Sequence, residues 1–214
     1  MTKEETMPRI SRTGVLPVVR AGSADAAHRA IDAVCKGGID TIEVTLTVPN
    51  AVDLLAKLVR EMPNVLFGAG TLMSADDAQR CIDAGAKFII SPATIPEVIR
   101  VCVANETLVM PGVLTPSEIT AALSAGAAVV KVFPVGAVGG ADYIRSLRAP
   151  FPDLKVVPTG GVTVDTASDH IRAGAMAVGL GSDLVDLKAI EQGRASEVTE
   201  RARRVLDAIA EARK

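Results

Sequence analysis

Residues 116–134 read Pro116-Ser-Glu-Ile-Thr-Ala-Ala-Leu-Ser-Ala-Gly-Ala-Ala-Val-Val-Lys-Val-Phe-Pro134. Thr115 and Glu118 stand where a helix wants a capping hydroxyl and a negative charge in its first turn, so the alanine-rich run over 116–125 reads as a helix. Gly126 follows, in the place where a residue of positive φ ends a helix. The β-branched run 128–133 then reads as a strand. The Ala-Gly-Ala that joins helix to strand recurs at 84–86 and 173–175, an internal echo on the scale of one helix–strand unit.

Working outward from this unit, short apolar runs alternate with helical segments along the whole chain. Strands are expected at 15–20, 41–46, 65–70, 88–91, 108–110, 128–133, 155–158 and 177–180. Helices are expected at 23–36, 50–61, 74–84, 94–104, 116–125, 138–148, 163–173 and 194–213. Gly38, Gly85 and Gly174 repeat the stop of Gly126, and Ser23, Ser74 and Thr163 repeat the start at Thr115. Near-continuous apolar strands joined by helical crossovers imply a parallel sheet buried on both faces. An open doubly wound sheet and a closed barrel both satisfy that pattern. Eight regular units, with no GxGxxG after the first strand, favour a single-domain (β/α)8 TIM barrel over 13–214. Residues 1–12 are expected as an N-terminal extension which, like the last helix, packs outside the barrel.

Composition supports a globular chain. Of 214 residues 49% are hydrophobic and 22% charged, ample to bury a core and incompatible with disorder. Aromatics are 2%, so the core must be aliphatic. A net charge of -2, from 23 basic and 25 acidic residues, argues against a nucleic-acid partner. No run approaches a membrane span, and the first residues lack the apolar core of a signal peptide. Cys35, Cys81 and Cys102 are widely spaced, as expected of buried thiols in a reducing compartment. His28 and His170 lie far from any Cys or acidic cluster, so no metal site is expected. The expected location is cytoplasmic.

In a barrel the chemistry belongs at the carboxyl ends of the strands. Lys131 is the anomalous lysine, carried into the late part of a strand behind four apolar residues. Desolvation penalises its ammonium form, which suits a Schiff-base nucleophile and equally a structural ion pair. Glu43 tips that balance. In Thr41-Ile-Glu-Val-Thr-Leu-Thr47, Ile42, Val44 and Leu46 share one face, and Thr41, Glu43, Thr45 and Thr47 share the other. A carboxylate aimed inward needs a partner, for which Lys131 is placed, and an acid beside an imine-forming lysine can shuttle protons. Thr159-Gly160-Gly161 and Gly179-Leu-Gly181-Ser182 follow strands 7 and 8, where barrels bind phosphate through backbone N–H groups. Thr71 and Pro92 complete the mouth, and Arg20, closing strand 1, is a candidate anion clamp.

Taken together, Glu43-Val-Thr-Leu-Thr-Val-Pro-Asn-Ala, Gly68-Ala-Gly-Thr-Leu, Ile90-Ser-Pro, Met110-Pro-Gly-Val-Leu-Thr-Pro, Lys131-Val-Phe-Pro and Pro158-Thr-Gly-Gly-Val resemble the class I 2-keto-3-deoxy-6-phosphogluconate (KDPG) and 4-hydroxy-2-oxoglutarate (KHG) aldolases. The resemblance runs in order from about Leu16 to Leu184. It implies a homotrimer with no metal or cofactor, acting on a phosphorylated 2-keto acid through a covalent imine. By motif, Lys131 would be the Schiff-base lysine and Glu43 the acid/base. Thr71, Pro92 and Phe133 would line the pyruvate pocket, and Thr159, Gly160, Gly161, Gly181 and Ser182 would hold the phosphate. Many members carry an arginine where this chain has Thr47; Thr47 is kept among the expected substrate-binding residues, and Arg20 becomes the candidate substitute for the substrate carboxylate. The rival readings are KHG or 2-keto-3-deoxy-6-phosphogalactonate as substrate, a phosphosugar isomerase or decarboxylase on the same barrel, and a non-catalytic trimeric scaffold.

Overall fold

A computed structural model describes residues 3–214. The strands are β1 (Val15–Val19), β2 (Thr41–Thr45), β3 (Leu66–Gly70), β4 (Phe88–Ile90), β5 (Leu108–Met110), β6 (Gly112–Val113), β7 (Val130–Val132), β8 (Val156–Pro158) and β9 (Val178–Leu180). The helices are α1 (Lys3–Thr13), α2 (Ala24–Lys36), α3 (Ala51–Glu61), α4 (Ala75–Asp83), α5 (Pro96–Ala104), α6 (Pro116–Ser124), α7 (Ala141–Arg148), α8 (Ala167–Arg172), α9 (Leu187–Glu191) and α10 (Ala195–Ala212). A short 3-10 turn spans Val135–Val138.

All strand pairs are parallel. A six-stranded sheet, ordered β5-β4-β3-β2-β1-β9, curls as a half-barrel beside a three-stranded sheet, β6-β7-β8. The fifth strand lies where it was expected, as β5, and after Pro111, which has no N–H to give a ladder, the chain adds the unexpected two-residue β6. A bridge between Thr159 and Gly179, and a 3.0 Å bond from Met176 N–H to the Val156 carbonyl, join β8 to β9.

Local chemistry explains the starts and stops. Ser23, Ser74 and Thr115 accept from the N–H groups of Ala26, Asp77 and Glu118, and Glu118 returns a bond to close a capping box. Gly38, Gly85, Gly126 and Gly174 lie at φ between +94° and +103°. Thr163 caps only a turn, accepting from Thr166 N–H at 3.2 Å, and α8 proper starts at Ala167. Helix α9 was not expected from the sequence. Five residues are too few to show a helical period.

Two apolar layers hold the fold. The larger lies between the outward faces of the strands and the helices and includes Ile42 and Val44. The smaller lies inside the sheet, among Leu16, Leu66, Phe88, Leu108, Met110 and Val157. Gly68 makes room for this inner layer, because a Cβ there would sit 2.2 Å from the Phe88 ring.

Met7 and Ile10 of α1 join the inner layer, with Ile10 fully buried. The segment expected outside the barrel is therefore part of the floor of the interior, although Met1 and Thr2 lie outside the described residues. Strands of two to five residues leave the amino-terminal opening uncovered, and the apolar edge of α1 fills it. Arg213 secures the helix end by donating to the carbonyls of Ser11 (2.6 Å) and Arg12 (2.7 Å). Ile10→Ala should cost about 2–5 kcal/mol in urea unfolding. A loss below about 0.5 kcal/mol would contradict a sealing role for α1.

Candidate active site

The alternation expected for β2 turns Thr41, Glu43 and Thr45 to the interior. Thr41 and Thr45 satisfy their hydroxyls by donating across to the β1 carbonyls of Val15 (2.8 Å) and Val19 (3.1 Å). Glu43 has no such neighbour. It is 1% exposed, and its Oε1 has no hydrogen-bond partner. The nearest charge is the Lys131 ammonium, 3.9 Å from Oε1 and itself 7% exposed. That separation attracts but is too long for a hydrogen bond. Burial therefore dominates and pushes the Glu43 carboxyl above the ordinary carboxylate range, against the opposing charges of Lys131 and Arg20.

Three glycines leave the space for this arrangement. A Cβ on Gly70 would fall 1.8 Å from Glu43 Oε1. Gly112, in register with Lys131, lets β6 approach the backbone of Pro92, where a Cβ would sit 2.2 Å from the carbonyl. A Cβ on Gly179 would meet Thr159 Oγ1 at 2.2 Å.

Lys131 opens into a cavity of about 790 Å3 at the carboxyl ends of the strands. Arg20, Thr71, Pro92 and Phe133 line it with Lys131, Phe133 with its ring centroid 5.2 Å from Nζ. Thr71 is held at φ +64°, a conformation that costs a non-glycine residue about 1–3 kcal/mol and is found where the surroundings impose it. Thr159, Gly160, Gly161, Gly181 and Ser182 line the same cavity, with Gly160 against the Phe133 ring, where a Cβ would sit at 2.9 Å. The carbonyls of Thr159 and Gly160 accept from Val135 (3.0 Å) and Gly136 (2.8 Å), which turns that peptide edge away. Among the described residues the N–H groups of Gly160, Gly161, Gly181 and Ser182 meet no acceptor, and such a set of free donors suits an oxyanion.

Thr47 does not join the wall of this cavity. It is exposed, and its hydroxyl lies 2.6 Å from that of Thr45. The wall also contains residues the sequence did not single out: Val18, Val162, Thr163, Asp183, Val185, Asp186, Leu187 and Lys188. Most of these surround or follow the Gly181-Ser182 loop, and the capping Asp186 was the available signal for the helix that carries Lys188. Among the described residues no group of three or more His, Cys, Asp or Glu is placed to hold a metal ion. Among the described residues no helix is long and apolar enough to cross a membrane.

The orphaned carboxyl has a pH signature. Its raised pKa stabilises the folded state fully below the unfolded value of 4.5, and that contribution is lost as pH climbs from there through the folded value. The loss runs at up to about 1.4 kcal/mol per pH unit. Glu43→Gln removes the titration, so its stability relative to the natural chain should improve as pH rises above 4.5 in paired unfolding curves. A constant or declining difference would contradict the assignment.

The model of the KDPG and KHG aldolase family matches residues 7–201. A 2-dehydro-3-deoxy-phosphogluconate aldolase of Treponema pallidum is 32% identical over 200 residues, 94% of this chain and 95% of its own. A probable 2-dehydro-3-deoxy-6-phosphogalactonate aldolase of Rhizobium meliloti is 33% identical over 172 residues, 79% and 81% of the two chains. The KDPG aldolase of Legionella pneumophila, solved with pyruvate captured at low pH as a covalent carbinolamine intermediate, superposes with a TM-score of 0.86 at 31% identity, covering 93% of this chain and 97% of its own. An inward lysine beside an orphaned glutamate, at the floor of a cavity edged with free N–H donors, thus occurs in a chain that belongs to the KDPG and KHG aldolase family of aldehyde-lyases.

Proposed function

We propose that this chain is a class I aldolase that cleaves KDPG to pyruvate and glyceraldehyde 3-phosphate, with Lys131 as its imine-forming residue. The observation that carries the reading is the Lys131–Glu43 pair, two ionisable groups sealed into an apolar interior at 3.9 Å without a hydrogen bond between them. The covalent capture of pyruvate by the Legionella pneumophila relative supports the same chemistry here.

The Lys131 amine adds to the C2 ketone to form a carbinolamine. Glu43, whose burial favours the protonated acid, gives its proton to the departing hydroxyl, and water leaves behind a protonated imine. The Glu43 carboxylate then takes the C4 hydroxyl proton, directly or through a water. As the C4 carbonyl forms, the C3–C4 bond electrons flow into the iminium. The aldehyde departs, Glu43 returns a proton to C3 of the enamine, and hydrolysis frees pyruvate and Lys131. The chemistry asks for no metal or organic cofactor. Thr71 and Arg20 hold the substrate carboxylate, with Arg20 taking the part that Thr47 is unable to play. Pro92 and Phe133 shape the pyruvate pocket, while Thr159, Gly160, Gly161, Gly181 and Ser182 hold the phosphate.

The bridges between β8 and β9, and the single proline between β5 and β6, support closure of the two sheets into one (β/α)8 barrel. Family membership supports a homotrimer. Three free cysteines, with Cys81 and Cys102 pushed up to about 11 and 12 by burial, suit a reducing cytoplasm.

Steady-state assays should give a higher kcat/KM for KDPG than for KHG or the phosphogalactonate epimer, and the reverse order would displace KDPG as the preferred substrate. Glu43→Gln should lower kcat by about 10²–10⁴-fold with imine formation still measurable. Unchanged turnover would remove Glu43 from the mechanism. Arg20→Ala should raise KM about tenfold, and an unchanged KM would free Arg20 of its role.

A further inference from the structure

The cavity has a charge problem for a phosphorylated substrate. A phosphate monoester brings a charge of about −1.5 to −2. The four free N–H groups of the glycine loops are neutral, and two carboxylates, Asp183 and Asp186, stand on the same wall. Both are committed to the scaffold. Asp183 accepts from Val164 N–H at 2.7 Å, and Asp186 accepts from Ala189 N–H at 3.0 Å as the cap of α9. Arg201 is used up by the Asp186 carboxylate (3.3 Å) and the Asp183 carbonyl (2.9 Å). Of the cations on the wall, Arg20 and Lys131 both act on Glu43 and so belong to the keto-acid end.

Lys188 is the remaining cation of that wall. It sits on α9, six residues beyond Ser182, and the buried Ala189 and Ile190 anchor the helix against the core. Its side chain is exposed and makes no ion pair or hydrogen bond among the described residues. A fixed helix thus places an unspent ammonium on the wall of the cavity that also carries the neutral donors.

We propose that Lys188 is a specificity-determining residue that gives this enzyme its preference for 2-keto acids ending in a phosphate over unphosphorylated ones. The proposal rests on the aldolase reading. Lys188 offsets the two wall carboxylates, which otherwise repel the dianion, while Lys131 and Glu43 carry the bond-making and bond-breaking. Its contribution is therefore to binding of the phosphate and not to bond cleavage.

The test measures kcat and KM for KDPG and for KHG in the natural enzyme, Lys188→Gln and Lys188→Arg. In Lys188→Gln the ratio of kcat/KM for KDPG over that for KHG should fall about fivefold to tenfold, through KM for KDPG. Lys188→Arg should restore the ratio, and raising the salt to about 1 M should shrink the difference between the Gln and natural enzymes. An unchanged ratio, or an equal loss for both substrates, would overturn the role of Lys188 while leaving the aldolase reading intact. Failure of the natural enzyme to cleave either substrate would overturn both.

Discussion

An ammonium and a carboxyl group 3.9 Å apart, each nearly closed off from water, set the terms for the rest of this molecule. Charged groups in such a place are costly unless paired by good hydrogen bonds, and here the bond is missing. The surroundings hold the two groups in place by shape. Gly70 leaves room for the carboxylate, Gly112 lets the strand beside Lys131 close on the Pro92 backbone, and the fully buried Phe88 and Ile10 lie in the apolar layer toward the amino ends of the strands. The unfavourable solvation of Glu43 is a local loss of stability carried by a large aliphatic core, and it yields an acid able to exchange protons with a neighbouring amine.

The cavity above that pair is polar at both ends for different reasons. Near Lys131 the charges belong to side chains, with Arg20 close enough to act on Glu43. At the far end the donors are backbone N–H groups, freed because the carbonyls of Thr159 and Gly160 are engaged by the turn that follows β7. A substrate with a keto acid at one end and a phosphate at the other matches that division. Lys188 supplies the side-chain charge that the backbone donors lack.

Much of this was legible in the sequence because the informative residues break a simple rule. Lys131 and Glu43 are ionisable groups inside apolar strands, and period-2 alternation alone turns Glu43 inward. Glycines at φ near +100° and hydroxyl caps marked the helix boundaries from local chemistry. Other features depend on contacts distant in sequence. The position of α1 in the interior is set by an opening that exists only once the strands have assembled, and its polar sequence gives little sign of it. Helix α9 and Lys188 were missed because five residues carry no readable period. Thr47, expected among the substrate-binding residues, stands exposed and off the cavity wall, because β2 ends at Thr45 and the inward alternation stops there.

The central claim is that Lys131 forms an imine with a 2-keto acid. Borohydride reduction in the presence of pyruvate, followed by intact mass measurement and peptide mapping, tests it most directly. The account predicts one reduced pyruvyl adduct per chain, located on Lys131 and absent from Lys131→Met. A folded natural chain that acquires no adduct, or acquires it on another lysine, would contradict it.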